Sequence, residues 1–212
     1  LPSLWGAVAG NRPVPDNHDD PGHITWQWKD ALLGKKKWYY ARVLRHRNTI
    51  ISLKLLNHFY ALSPNFGDPE QDFMDQYALG KISLQEKRVF DALLKEGPLD
   101  TLLLRKISGM SAVSQASNFN RALDNLQRDF RILPTGTSRA GPWHYSFVYD
   151  LTHRFYPNLV EASRWNNHHT AIKEILTSYL LSVVLCSLKA LQKVFGWKSC
   201  AFERPLMDLV GE

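Results

Sequence analysis

Ser83-Leu84-Gln85-Glu86-Lys87-Arg88-Val89-Phe90-Asp91-Ala92-Leu93-Leu94-Lys95-Glu96-Gly97-Pro98 is the stretch that decides the fold. Ser83 to Glu86 has the form of a capping box. The serine hydroxyl accepts from the backbone N–H three residues on, and the glutamate reaches back to the cap. Leu84, Val89, Phe90, Leu93 and Leu94 then recur at helical spacing. Gly97-Pro98 ends the helix, because glycine tolerates the left-handed cap and proline cannot continue the hydrogen-bond ladder. Asp100 is placed to cap a short second helix through Leu103, Leu104 and Ile107, and Ser108-Gly109-Met110 reads as a tight turn.

A third helix is expected over 117–129, with Phe119, Ala122, Leu123, Leu126 and Phe130 on one face. At about 100° per residue the opposite face carries Ser117, Arg121, Asp124, Asn125 and Arg128. A turn over 136–142 leads into a strand over 143–150. There Trp143, Tyr145, Phe147 and Tyr149 alternate with His144, Ser146, Val148 and Asp150. Helix, short helix, turn, helix and hairpin is the order of a winged helix-turn-helix, expected over 81–157. Such a unit lays its third helix in the DNA major groove. Ser117, Arg121, Asn125 and Arg128 are therefore candidate DNA contacts. The guanidinium groups suit a base edge or a phosphate, and the Asn125 amide suits adenine. Arg139, at the hairpin tip, is placed for the adjacent backbone or minor groove. Asp124 sits awkwardly on a face that would meet phosphate. A winged helix also serves protein contacts, so the motif alone leaves both partners open.

The N-terminal region, 1–80, has a different texture. A short helix over 4–9 precedes a loop with Pro13, Pro15 and Pro21. Trp26, Trp28, Trp38, Tyr39 and Tyr40 follow; they are read as core in preference to a platform on which bases stack. Strands are expected over 38–45 and 49–52 around a His46-Arg47-Asn48 turn, and then a helix capped by Ser52, which Pro64, Gly67 and Pro69 break. Charge separates here. Lys29 to Lys54 includes Lys35, Lys36, Lys37, Arg42, Arg45 and Arg47 with Asp30 as the single acid. Those six are candidate phosphate contacts, against the alternative of a solvated face. Asp68, Glu70, Asp72 and Asp75 are read as a solvated acidic loop and not as an acid–base pair.

In the C-terminal region, 164–212, helices are expected over 171–184, 187–195 and 201–210, with Pro205 weakening or delaying the start of the third. This reads as a second, truncated helix-turn-helix, so the fold class is mainly α with short β-hairpins and tandem winged-helix character. Ile175 to Leu188 is uncharged but shorter than the ~20 apolar residues of a membrane span. It also holds Thr177, Ser178, Ser182 and Ser187, so a buried helix is expected and a membrane is not.

The chain carries 26 basic and 20 acidic side chains, a net charge of +6, which leans toward a polyanionic partner. Two cysteines exclude a disulfide scaffold and a Cys-rich zinc module, and fit a reducing, cytoplasmic setting. No phosphate-binding glycine loop, HExxH or GxSxG motif occurs. His168 and His169 would diverge by about 100° on a helix and serve one metal poorly. No basic segment followed by an apolar run opens the chain, so no signal peptide is expected. Leu1 in place of an initiator Met leads to the expectation of a processed chain or a fragment.

Several stretches bear on family. Leu4-Trp5-Gly6-Ala7, Ile24-Thr25-Trp26-Gln27-Trp28-Lys29-Asp30, Phe59-Tyr60-Ala61-Leu62-Ser63, Gly97-Pro98-Leu99-Asp100-Thr101, Leu126-Gln127-Arg128-Asp129 and Phe147-Val148-Tyr149-Asp150-Leu151 together resemble bacterial winged-helix proteins related to AlkZ and YcaQ. The resemblance implies tandem winged helices and a duplex DNA partner. It also implies base excision at crosslinked or bulky alkylated sites, with no metal and no cofactor. The family's catalytic signature is Gln, an apolar residue, then Gln or Asp. Gln127-Arg128-Asp129 has the right ends and a charged middle, so no catalytic residue is carried over. The expectation is a DNA-binding relative of repair glycosylases, either truncated or non-catalytic; the alternative is a winged-helix transcriptional regulator.

Overall fold

The computed structural model describes residues 3–17, 19–141 and 144–211. The capping box forms. Ser83 N–H donates to Glu86 Oε2 at 2.6 Å, and Glu86 N–H donates to Ser83 Oγ at 3.2 Å, starting α5 (Leu84–Glu96). Asp100 Oδ1 accepts from the N–H groups of Leu102 and Leu103 at 2.9 and 3.0 Å and starts α6 (Thr101–Ile107). Both devices satisfy amides that the first helical turn leaves without partners. At the far end of α5, Arg154 donates to the Leu93 and Leu94 carbonyls at 2.9 and 3.0 Å.

Helix α7 (Ala116–Arg128) follows, then the hairpin of β4 (Ile132–Ser138) and β5 (Ser146–Leu151). The short strand β3 (Leu99–Asp100) adds to β5, giving an antiparallel sheet in the order β3-β5-β4. Three helices and this sheet enclose one core: Val89, Phe90, Leu93, Leu104, Met110, Phe119, Leu126, Ile132 and Leu151 are all buried. The expected strand began at Trp143, which lies outside the described residues; β5 begins at Ser146.

A second core joins the two ends of the chain. It unites the hairpin β1 (Tyr39–Leu44) and β2 (Arg47–Ile51), α3 (Leu53–Ala61), and α10 (His168–Val183), α11 (Leu188–Phe195) and α12 (Cys200–Val210). Helix α10 packs on α3 and α12, and α3 also packs on α9 (Leu159–Arg164), which follows the single turn α8 (Thr152–Phe155). Pro205 lies inside α12 and does not delay its start. Phe130 ties this core to α7. Its φ of 56° is unusual for a residue with a side chain, and its ring stacks on Tyr39 at 5.1 Å and meets Tyr60 edge-on at 6.2 Å. Aromatic packing holds at the end of α7 a conformation that glycine commonly supplies.

Two further sequence expectations are corrected. The acidic stretch is a helix, α4 (Pro69–Ala78), and not a loop. Asp68 accepts from the amides of Glu70 and Gln71 at 2.9 and 3.0 Å, and Pro69 stands at the first helical position. Proline there starts a helix, because its missing N–H would have had no partner, and acids favour the positive end of the helix dipole. Phe73 of α4 is fully buried and stacks on Phe90 at 3.9 Å, a burial that stabilises by roughly 2–3 kcal/mol. Trp26 and Trp28 are likewise not core. They lie on α2 (Ile24–Leu32), 50% and 45% exposed, whereas Tyr39 and Tyr40 are buried as expected.

Candidate nucleic-acid interface

The outer face of α7 divides in two. Toward its N-terminus Ser117 and Arg121 are exposed, as is Asn120, which the sequence reading passed over although it lies three residues from Ser117 on the same face. Toward its C-terminus the polar groups are paired with other residues, although Arg128 is exposed too, and in the N-terminal half Arg121 donates to Asn118 Oδ1 at 3.2 Å. Asn125 Nδ2 donates to Glu86 Oε1 at 2.6 Å, so the capping-box glutamate also fixes this amide. Arg128 makes a two-pronged contact with Asp129 at 2.8 and 3.2 Å. Asp124, awkward on a DNA-facing surface, accepts from Arg42 Nη1 at 2.6 Å, because β1 packs against α7. Gln127 is buried; its Nε2 donates to the Leu123 carbonyl at 3.1 Å and its Oε1 accepts from Arg42 N–H at 3.2 Å. Gln127 thus joins α7 to β1.

The remaining basic candidates fall in separate places. Gly34, with φ 76°, sits against β4: a Cβ there would lie 2.5 Å from the Thr135 carbonyl oxygen. This contact sets Lys35, Lys36 and Lys37, all exposed, beside β4. The Lys36 ammonium lies 4.9 Å from the Phe155 ring and 5.8 Å from that of Tyr156, in a groove shared with Lys54. Arg139 is exposed just beyond β4.

Arg45 and Arg47 come together elsewhere, in the lining of a cleft of about 450 Å³ between the β1–β2 hairpin and the helices α1 (Leu4–Ala9) and α2. Trp5, Trp26, Lys29 and Tyr40 line it with Asn48 and Thr49. One face of Trp26 is covered by His23, parallel to within 13° at 4.4 Å. Trp5 is braced from behind. Arg12 lies 5.0 Å from its ring and pairs with Asp20, whose carboxyl the Arg12 hydrogen bond holds down at about 2. Gly22 lets the ring approach, since a Cβ there would stand 2.6 Å from Trp5. Lys29 at the base lies 2.8 Å from Asp30 and 5.0 Å from the Phe147 ring. Its Nζ also donates to the Tyr145 hydroxyl, which donates to Asp30 at 2.9 Å. Burial pushes the Tyr40 phenol up to about 12, so it stays neutral.

Among the described residues no group of three or more His, Cys, Asp or Glu could hold a metal ion, and no single helix is long and apolar enough to cross a membrane. The fold and surface define a mainly helical protein with small antiparallel sheets, an exposed polar helix N-terminus and a basic, aromatic cleft. A family model described as AlkZ related matches residues 1–196, so the chain belongs to the AlkZ-related family, as the resemblance implied. No curated protein and no solved structure matches it.

Proposed function

We propose that this chain binds duplex DNA through a winged helix built from α5, α6, α7 and the β3-β5-β4 sheet, within the DNA-repair, glycosylase-like line that its family suggests. The observation that carries this reading is the exposed N-terminal half of α7. In winged-helix complexes the first turns of the third helix meet base edges, and here Ser117, Asn120 and Arg121 are the residues open there. Asn125 and Arg128 act behind them as braces. Arg139 on the hairpin and Lys35, Lys36 and Lys37 beside it contact phosphate. No residue is assigned to bond cleavage, and Gln127 has its structural role between α7 and β1.

The test is fluorescence anisotropy of a labelled duplex at two salt concentrations. Arg121→Ala should weaken binding at least several-fold, by about 1–2 kcal/mol, whereas Arg128→Ala should change it little. Changing Lys35, Lys36 and Lys37 together to Ala should flatten the salt dependence by up to about three phosphate contacts. Equal affinity of the wild type and folded Arg121→Ala removes α7 from the interface. Strong preference for one duplex sequence would favour a transcriptional regulator, and weak binding with a flat salt response would favour a protein partner.

A further inference from the structure

The cleft between the β1–β2 hairpin and helices α1 and α2 is lined by residues none of which lies on α7, and its lining has a chemistry of its own. We propose that it binds a single unpaired nucleotide of a DNA strand, with the base against Trp26 and the phosphate on Arg45 and Arg47; this rests on the reading of the chain as DNA-binding.

Four observations converge on it. Trp26 is half exposed, with His23 covering one ring face, which leaves the other for the cleft it lines. Tryptophan is an expensive side chain to leave in water, and a second flat ring covers it at small geometric demand. Next, the cleft holds about 450 Å³, within the ~300–1,000 Å³ range of small-ligand sites and large enough for one nucleotide. Asn48 adds an amide suited to a base edge, whereas the Thr49 hydroxyl is engaged within the hairpin, donating to the Arg47 carbonyl at 2.9 Å and accepting from Leu44 N–H at 3.3 Å. Third, Arg45 and Arg47 bring positive charge to the lining, and no aspartate or glutamate is among the described lining residues to oppose an anion. Guanidinium groups suit phosphate because their planar fork matches its oxygens.

The fourth observation is the turn that presents these arginines. Leu44 pairs with Arg47 across the hairpin, so Arg45 and His46 form a two-residue loop, with φ of 56° and 53°. That pattern belongs to asparagine and glycine, for which the left-handed region is accessible. Two bulky cationic or ionisable residues held there mark a strained turn, of the kind found at ligand clamps. A bulge between Ala41 and Leu44 in β1 further twists the hairpin tip where it borders the cleft.

An intact duplex keeps its bases stacked and offers none to this cleft. A single strand, or a duplex with one bulged nucleotide, does. The discriminating experiment measures anisotropy of a labelled eight-nucleotide single strand, a paired duplex and the same duplex with one bulged nucleotide. The proteins are the wild type, Trp26→Ala, Trp26→Phe and Arg45→Ala with Arg47→Ala. Removing the stacking ring should weaken single-strand and bulged-duplex binding by about fivefold or more, with Phe restoring part of it. Binding of the paired duplex by Trp26→Ala should stay within about twofold of wild type, because Trp26 lies off the α7 face. A folded Trp26→Ala protein that binds all three probes as the wild type does overturns the proposal, as does wild type that binds the paired duplex but neither of the others. Loss of paired-duplex binding in Arg121→Ala with single-strand binding retained supports it. Wild type that binds the single strand alone overturns the α7 reading and leaves the cleft standing. Absence of binding to every probe overturns both.

Discussion

The hairpin tip makes a prediction in which stability and binding move in opposite directions. Replacing Arg45-His46 by Asn-Gly puts the residues best suited to this two-residue turn in place of two that occupy left-handed backbone at φ 56° and 53°. For L-residues that region lies roughly 1–2 kcal/mol above the ordinary helical well. Two such positions give about 2–4 kcal/mol of relievable strain, of which the greater unfolded-state freedom of the new glycine offsets about 0.5–1 kcal/mol. Arg45 and His46 are exposed, so little packing is lost. Asn at the first position keeps a little strain, and a net gain of about 1–2 kcal/mol results, a rise in Tm of about 2–8 °C for a protein of this size. Losing Arg45 should at the same time weaken single-strand binding and remove about 0.7 from its salt slope, the share of one phosphate contact. Thermal unfolding followed by circular dichroism, with anisotropy on the same samples, reads both. A variant with unchanged or lower Tm and a native spectrum would refute the strain argument. A raised Tm with unchanged binding would show that the turn is strained for a reason other than the cleft.

Two further outcomes can be checked by denaturant unfolding. Gly34→Ala places a Cβ at 2.5 Å from the Thr135 carbonyl oxygen on backbone with φ 76°, and neither partner is a side chain that can swing away. A loss of about 2–4 kcal/mol is expected, and a loss under about 1 kcal/mol would mean that the loop carrying Lys35 to Lys37 is not locked against β4. His153 sets a pH dependence. Burial holds its imidazole below the ordinary value, while Glu70 at 3.3 Å and Asp150 pull upward and Arg154 pushes down. The unfolded chain therefore takes up a proton first as pH falls through about 6.5, and stability is full above that value and declines toward the lower folded one. His153→Gln should flatten the slope of the urea midpoint between about pH 7 and 5, and an unchanged slope would refute this assignment.

Local chemistry was legible wherever one residue sufficed to enforce it. Ser83 with Glu86 determines where α5 begins, Asp100 where α6 begins, and the 3-and-4 spacing of Phe119, Ala122, Leu123 and Leu126 determines which side of α7 turns inward. These depend on hydrogen bonds within a turn and on helical periodicity, both written in neighbouring residues. The acidic helix α4 was equally local, but its Pro69 reads as a breaker unless Asp68 is recognised as the cap. What the outer face of α7 can touch was not local. Arg42 reaches Asp124 from 82 positions away and Glu86 reaches Asn125 from 39, so half of that face is committed by residues outside the helix. The cleft is further from the sequence still: Trp5, Trp26 and Arg47 meet only because the β1–β2 hairpin folds back beside two helices that precede it. By itself the sequence determined α5, α6 and α7, the caps of the first two, the basic balance and the family. Tertiary structure decided which polar side chains of α7 are tied to distant partners and which tryptophans face water, because partners distant in the chain neutralise or bury a side chain only after packing has brought them together.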